Sequence, residues 1–139
     1  MLDCLILGDS IARGIAQARP ECVQVAQVGA TSEQFKYAVI NQPDVFKPGY
    51  KTVVISLGTN DGKFVHSFTY LALIRDRITA DHVMWILPQP KFTEARNAVR
   101  MVADQFRDSV IEVPAKNLSH DKTHPTAAGY KSLAEQTKK

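Results

Sequence analysis

Only two cysteines, Cys4 and Cys22, occur in the 139 residues. Two cannot build a disulfide framework or a zinc site. Cys4 lies inside an apolar run, so both read as buried or reduced thiols. Charge of one sign is also scarce, with 17 Lys and Arg against 14 Asp and Glu for a net +3. The excess sits in the second half and ends in Lys138-Lys139, too mild and scattered for a nucleic-acid footprint. No apolar run approaches the length of a membrane span. No basic segment leads into a long apolar stretch and cleavage site, so a cytoplasmic setting is expected, a processed secreted chain being the alternative. Internal repeats, linkers and low-complexity tracts are missing. What remains is 45% hydrophobic and 22% charged, the balance of a soluble globular protein. Residues 1–139 are expected to form one domain with a real core.

Apolar runs alternate regularly with helical patterns. Cys4 to Leu7 is too brief for a helix and suits a buried strand, stopping at Gly8-Asp9-Ser10. Ile11-Ala12-Arg13-Gly14-Ile15-Ala16 then reads as the start of a helix. Cys22 to Val28 is β-rich and stops at Gly29, after which Thr31 or Ser32 can cap a helix through Phe35, Ala38 and Val39 towards Asn41. Pro43 and Pro48-Gly49 bound a surface loop. Thr52 to Leu57 is the strongest strand, ending at Gly58-Thr59-Asn60-Asp61. Phe64, Phe68, Leu71, Ile74 and Ile78 give one apolar helical face. Val83 to Leu87 is a strand stopped by Pro88-Gln89-Pro90, and Ala95 to Phe106 carries a second helical stripe. Ser109 to Val113 is a fifth strand, and Pro125 is expected to open a last helix through Tyr130, Leu133 and Ala134. Strand and helix alternating five times predict a parallel sheet covered on both faces, a three-layer α/β/α sandwich.

Such sheets bind ligands at the carboxyl ends of their strands. Ser10, Gly29 and Asn60 follow strands one, two and three, while Asp121 and His124 follow strand five by way of a loop. Together they supply the parts of an acyl-transfer site. Ser10 is the candidate nucleophile, His124 the base, and Asp121 the group that orients it. The backbone N–H groups of Ser10 and Gly29 and the side-chain amide of Asn60 are candidate oxyanion donors. A serine before a helix is also a common cap, and Ser10 taken alone fits either reading.

Four blocks carry a resemblance: Gly8-Asp9-Ser10, Gly29-Ala30-Thr31-Ser32, Gly58-Thr59-Asn60-Asp61 and Asp121-Lys122-Thr123-His124-Pro125. In this order, and from Gly8 to Pro125, they resemble the SGNH or GDSL hydrolases. Ile11 stands where the GDSL name has Leu, and the second block lacks a frequent glycine after Ser32. The resemblance implies a flavodoxin-like, five-stranded parallel sheet of order 2-1-3-4-5. It also implies a serine hydrolase acting on esters, thioesters or acyl groups on sugars through an acyl-enzyme, with no cofactor or metal. The expected substrate is a small-molecule or glycan ester; oligomeric state is not readable.

Other residues have plainer readings. Asp9 reads as a brace of the turn, and Asp61 as either a brace or a substrate contact. His66, His82 and His120 read as surface or helix-end histidines; His120 lacks the acid before it that His124 has. The connections are short, with no insertion between Asn60 and Asp121 long enough for a lid. The substrate walls are therefore assigned to loop tips near Arg13, Asp61, Phe64, Gln89 and Thr123, which predicts a shallow groove for short acyl chains. Two alternatives use the same residues differently. A phosphate or flavin binder could use the N-terminus of the first helix, although G-x-G-x-x-G and G-x-x-x-x-G-K-[ST] are absent. A metal-dependent phosphoesterase would need Asp9, Asp61, Asp121 and His124 as ligands.

Overall fold

Residues 1–46, 48–63 and 66–138 are described by a computed structural model. Five strands form one parallel sheet: β1 (Leu2–Gly8), β2 (Val23–Ala26), β3 (Tyr50–Ser56), β4 (Ala80–Ile86) and β5 (Ser109–Ile111). Their spatial order is β2-β1-β3-β4-β5. The helices are α1 (Ser10–Gln17), α2 (Ser32–Asn41), the single turn α3 (Pro43–Phe46), α4 (Ser67–Asp76), α5 (Thr93–Phe106) and α6 (Ala127–Gln136). This is the three-layer α/β architecture and strand order expected from the sequence.

Alternation along each strand decides which helix packs where. Leu5, Leu7, Val53, Ile55 and Trp85 face a core shared with Phe35 and Val39 of α2, Leu71 and Ile74 of α4, and Val99 and Val102 of α5. Ile6, Val54 and Ile86 point the other way, into a core with Ile11 and Ile15 of α1 and Leu133 and Ala134 of α6. Thus α1 and α6 share one face. The chain leaves β1 through α1 to reach β2, then recrosses by α2 on the opposite face to reach β3. The strand order therefore reverses at β1 and β3, where a crevice opens at their carboxyl ends. Gly8 is level there with both Ala26 and Ser56.

Several element ends differ from the expectation, two of them because a strand stops where its neighbour stops. β2 ends at Ala26 instead of Val28, because β1 has turned into α1 after Gly8; Gln27 N–H still reaches the Gly8 carbonyl at 2.9 Å. β5 ends at Ile111 instead of Val113, opposite the last residue of β4. α4 begins at Ser67, so Ile78 packs beyond its end, and Phe64 lies outside the described residues. The loop bounded by Pro43 and Gly49 contains α3. Pro125 does not open α6: it bridges to Leu118, and Thr126 is the cap, its hydroxyl accepting from Gly129 N–H. Among the described residues, no helix is long and apolar enough to cross a membrane.

The larger correction concerns the cysteines, which are joined as a disulfide rather than free. The register explains it. Leu5 pairs with Val23, so Cys22, the residue just before β2, falls directly across from Cys4 of β1, with Cα atoms 4.8 Å apart. The closed ring contains β1 from Cys4 onward and all of α1, Ser10 included. By the chain-entropy model a ring of this size contributes about 3 kcal/mol. Cys22→Ser, or reduction of the wild type, is expected to lower the unfolding free energy in urea by about that amount. An unchanged urea midpoint after reduction would show that the two thiols are not joined.

Candidate active site

The site begins at the end of β1. Gly8 has φ +137°, and a Cβ there would lie 1.9 Å from the Ser56 carbonyl oxygen. Only glycine lets β1 turn away this close to β3. Asp9 N–H donates to that same carbonyl at 2.9 Å. The Asp9 carboxyl then caps α1, its Oδ1 accepting from Ile11 N–H (3.0 Å), Ala12 N–H (3.4 Å) and the Ser56 hydroxyl (2.9 Å). Ser10 is the first residue of the helix rather than its cap. Its hydroxyl is not spent on the backbone, and its N–H, in the first turn, has no acceptor within the helix.

The Ser10 hydroxyl instead meets His124, with Oγ 2.9 Å from Nε2. The other ring nitrogen, Nδ1, lies 2.7 Å from Asp121 Oδ2. Asp121 Oδ1 accepts from the N–H groups of Thr123 (2.8 Å) and His124 (3.0 Å), and the Ser119 hydroxyl lies 2.8 Å away. These contacts, the His124 side chain foremost, hold the Asp121 carboxyl well below the usual carboxylate range. It therefore stays an anionic acceptor across the working pH range. Lys122 closes the turn at φ +60°, and Ser119 N–H fastens it to the His124 carbonyl at 2.8 Å. Ser119 was not a candidate from the sequence; no spacing rule marks it, because it acts through a turn only the fold closes.

Two further loops reach the same sheet edge. Gly29 has φ +78° and open space where a side chain would stand. Asn60 is exposed and donates one amide hydrogen to the Ala30 carbonyl at 3.1 Å, tying its loop to that of Gly29. The second amide hydrogen has no partner among the described residues. Asp61 is engaged with the protein: Oδ1 accepts from Ser32 N–H at 2.8 Å, and Oδ2 from the hydroxyls of Ser32 and Ser67 at 2.5 and 2.6 Å. One carboxylate thus pins the first residues of α2 and α4 together.

The remaining candidates are spread out. Arg13 is exposed on α1. Gln89 is buried, its Nε2 3.5 Å from the Val113 carbonyl, and so braces two strand ends. Thr123 belongs to the Asp121 turn. Phe64 falls outside the described residues. Lys91, unmarked in the sequence, donates to the Asp121 carbonyl at 3.2 Å. Beside it a cleft of about 290 Å³ opens, lined by Gly62, Lys63, Lys91, Phe92 and Ala95 among others. Asp9, Asp61, Asp121 and His124 do not converge; among the described residues no cluster of three such side chains could hold a metal ion. His120 is exposed, and His82 Nε2 lies 2.9 Å from Ser109 Oγ, at the sheet's other edge.

No family model matches the chain, and no curated protein sequence matches it. Solved structures do. A GDSL-like lipase from Bacteroides thetaiotaomicron superposes with a TM-score of 0.74 at 17% identity, over 98% of this chain and 85% of that one. The catalytic domain of peptidoglycan O-acetyltransferase A from Streptococcus pneumoniae matches at 0.66 and 20%, over 96% and 89%. An SGNH-hydrolase family esterase matches at 0.57 and 15%, over 99% and 94%. The chain has the fold these proteins share.

Burial has one measurable consequence at the site. Asp9 is 1% exposed and no described donor reaches its Oδ2. Removal from water pushes its carboxyl up from 3.8 to about 6, against the opposing hydrogen bonds from Ser56, Ala12 and Ile11. The fold therefore favours the protonated form. That contribution is fully present below the unfolded value and is lost as pH rises through about 6. The loss amounts to about 3 kcal/mol. Asp9→Asn cannot ionise, so the stability difference between variant and wild type should shift by most of that amount in the variant's favour between pH 4 and 7.5. Equal pH profiles in urea melts would show that Asp9 ionises as freely in the fold as outside it.

Proposed function

We propose that this protein is a serine hydrolase of the SGNH type, cleaving carboxylic esters of short acyl groups. The observation that carries the reading is the continuous chain Ser10 Oγ, His124, Asp121, with separations of 2.9 and 2.7 Å. His124 Nε2 takes the Ser10 hydroxyl proton as Oγ attacks the ester carbonyl. The oxyanion is received by the N–H groups of Ser10 and Gly29 and the free amide hydrogen of Asn60. Collapse expels the alcohol, to which His124 returns the proton, and leaves an acyl group on Ser10. Water, deprotonated by His124, then releases the acid. Asp121 holds the Nδ1 hydrogen and stabilises the imidazolium without taking the proton.

A phosphate or flavin binder is less well supported. Two of the N–H groups of α1 that an anion would need, those of Ile11 and Ala12, are already held by Asp9. Within the hydrolase class, deacetylation of an acetylated sugar or cell-wall polymer is the second reading. It draws on the shared fold with a peptidoglycan O-acetyltransferase domain. The Cys4–Cys22 bridge favours it too, since such bridges persist in oxidising surroundings rather than in the cytoplasm. Thr123 and Lys91, both bonded to Asp121, are polar groups available to an alcohol portion beside the triad.

A fluorophosphonate probe tests the mechanism: it should label Ser10 and no other serine, and Ser10→Ala should lose both labelling and hydrolysis. Stoichiometric labelling of Ser10→Ala would overturn the assignment. A p-nitrophenyl ester series tests the substrate class. Each buried methylene contributes about 0.8 kcal/mol only where a wall receives it. The cleft beside Lys91 is small, and Pro88 and Pro90 stiffen the loop that could enlarge it. Acetyl and butyryl esters should be best, with kcat/KM falling by C8; a rise continuing to C12 would show a deep acyl tunnel.

A further inference from the structure

Helices α1 and α6 lie side by side with their N-termini at the same end. Ser10 begins α1, and His124 stands just before α6, so the 2.9 Å contact spans the two helix starts. At the far end Arg19, buried just after α1, donates to the carbonyl and hydroxyl of Thr137, the C-cap of α6, at 3.2 and 3.1 Å. Between these ends Gly14 faces Tyr130. A Cβ on Gly14 would lie 2.2, 2.5 and 2.6 Å from Cε1, Cζ and Cδ1 of the Tyr130 ring. Gly14 has ordinary helical backbone, so no turn or positive φ calls for glycine there. In a helix interior glycine costs about 1 kcal/mol relative to alanine. The ring contact is the feature that accounts for it.

The first turn of α6 is held from its other side. A Cβ on Gly129 would lie 2.5 Å from the Asn117 carbonyl oxygen, and Thr126 N–H donates to that same carbonyl at 2.8 Å. The loop bearing Asp121 and His124 therefore moves with α6. Its spacing from Ser10 follows the spacing of the helices.

We propose that the packing of Tyr130 on Gly14 sets the separation of Ser10 and His124, making both residues positioning residues for the nucleophile–base contact. The inference rests on the serine-hydrolase reading for its catalytic consequence, but not for its geometric one. The ring is the acting part. Burial, together with the Asp9 and Asp121 carboxylates, pushes the phenol above its ordinary value. The hydroxyl is thus uncharged at neutral pH, and Tyr130→Phe removes no charge.

The test compares crystal structures, fluorophosphonate labelling rates and steady-state kinetics for four variants. In Gly14→Ala the Ser10 Oγ to His124 Nε2 distance should open beyond hydrogen-bond reach. Its labelling rate and kcat should fall about 10- to 100-fold, as expected for displacement of reacting groups by about 1 Å, with KM within twofold. Tyr130→Phe should match wild type. Gly14→Ala with Tyr130→Leu, which removes the obstructing ring atoms, should recover most of the lost rate and close the distance again. A Gly14→Ala protein that keeps both the distance and the labelling rate overturns the proposal. So does a double variant no better than Gly14→Ala. If Gly14→Ala does not fold, Tyr130→Leu alone reads the same spacing: a labelling rate within twofold of wild type overturns the proposal, and a several-fold fall supports it. A wild type that neither labels nor hydrolyses esters would remove the hydrolase reading, while the crystallographic distances would still decide the contact.

Discussion

Everything at the site descends from the approach of β1 to β3 at Gly8. A side chain there would occupy the space of the Ser56 carbonyl, so the two strand ends could not meet. Because they meet, Asp9 N–H finds that carbonyl and the Ser56 hydroxyl finds Asp9 Oδ1. The carboxyl is then aimed at the first N–H groups of α1. One steric permission thus starts the helix, directs its axis across one face of the sheet, and leaves Ser10 at the edge. The disulfide closes the same unit from behind, from Cys4 in β1 to Cys22 just before β2.

The other loops are fixed at the same sheet edge by polar ties that belong to no strand. Asn60 is bound to the Ala30 carbonyl, so the second and third loops share one position. Asp61 secures the start of α2 to the start of α4. The loop after β5 is closed on itself by Ser119 and the Asp121 carboxylate. Each loop is made rigid by its own hydrogen bonds, and the sheet register sets their relative heights. A preorganised array of donors and acceptors needs both.

How much of this was legible follows from the range over which each signal acts. Strand runs and helical stripes are local and periodic, so the element order, the parallel sheet and the two-sided core could be read directly. The placement of Ser10, Asn60, Asp121 and His124 at one sheet edge could be read because each stands at a fixed offset from a strand end or a helix start. Element ends were less legible, since Val28 and Val113 are β-formers whose neighbours had already stopped. The Cys4–Cys22 bridge depends on the pairing of Leu5 with Val23, a register that no single strand encodes. The contacts of Ser119, Lys91 and Gly14 were hidden for the same reason: each is made to a partner met only after folding. Asp61 could be read as a brace or a substrate contact, and its three donors show the bracing part of that reading.

The cap at Asp9 is what leaves the Ser10 hydroxyl free of the backbone. A helix start needs a side-chain acceptor for its first N–H groups. If serine stood at that cap, its hydroxyl oxygen would be turned inward to the backbone. Aspartate takes the cap one residue earlier and accepts from two N–H groups and Ser56 through a single oxygen. The neighbouring serine is then a first-turn residue, its Oγ turned to His124 and its N–H unspent. Burying a carboxyl for this purpose costs stability near neutral pH, as its raised pKa records. Asparagine would cap α1 without that charge, but its Nδ2 hydrogens would stand where Oδ2 now lies with no described partner. A buried amide leaves two donors unsatisfied there, whereas a protonated carboxyl leaves at most one. The carboxyl is therefore the smaller polar burden at low pH, and the balance turns towards the amide as the carboxyl ionises.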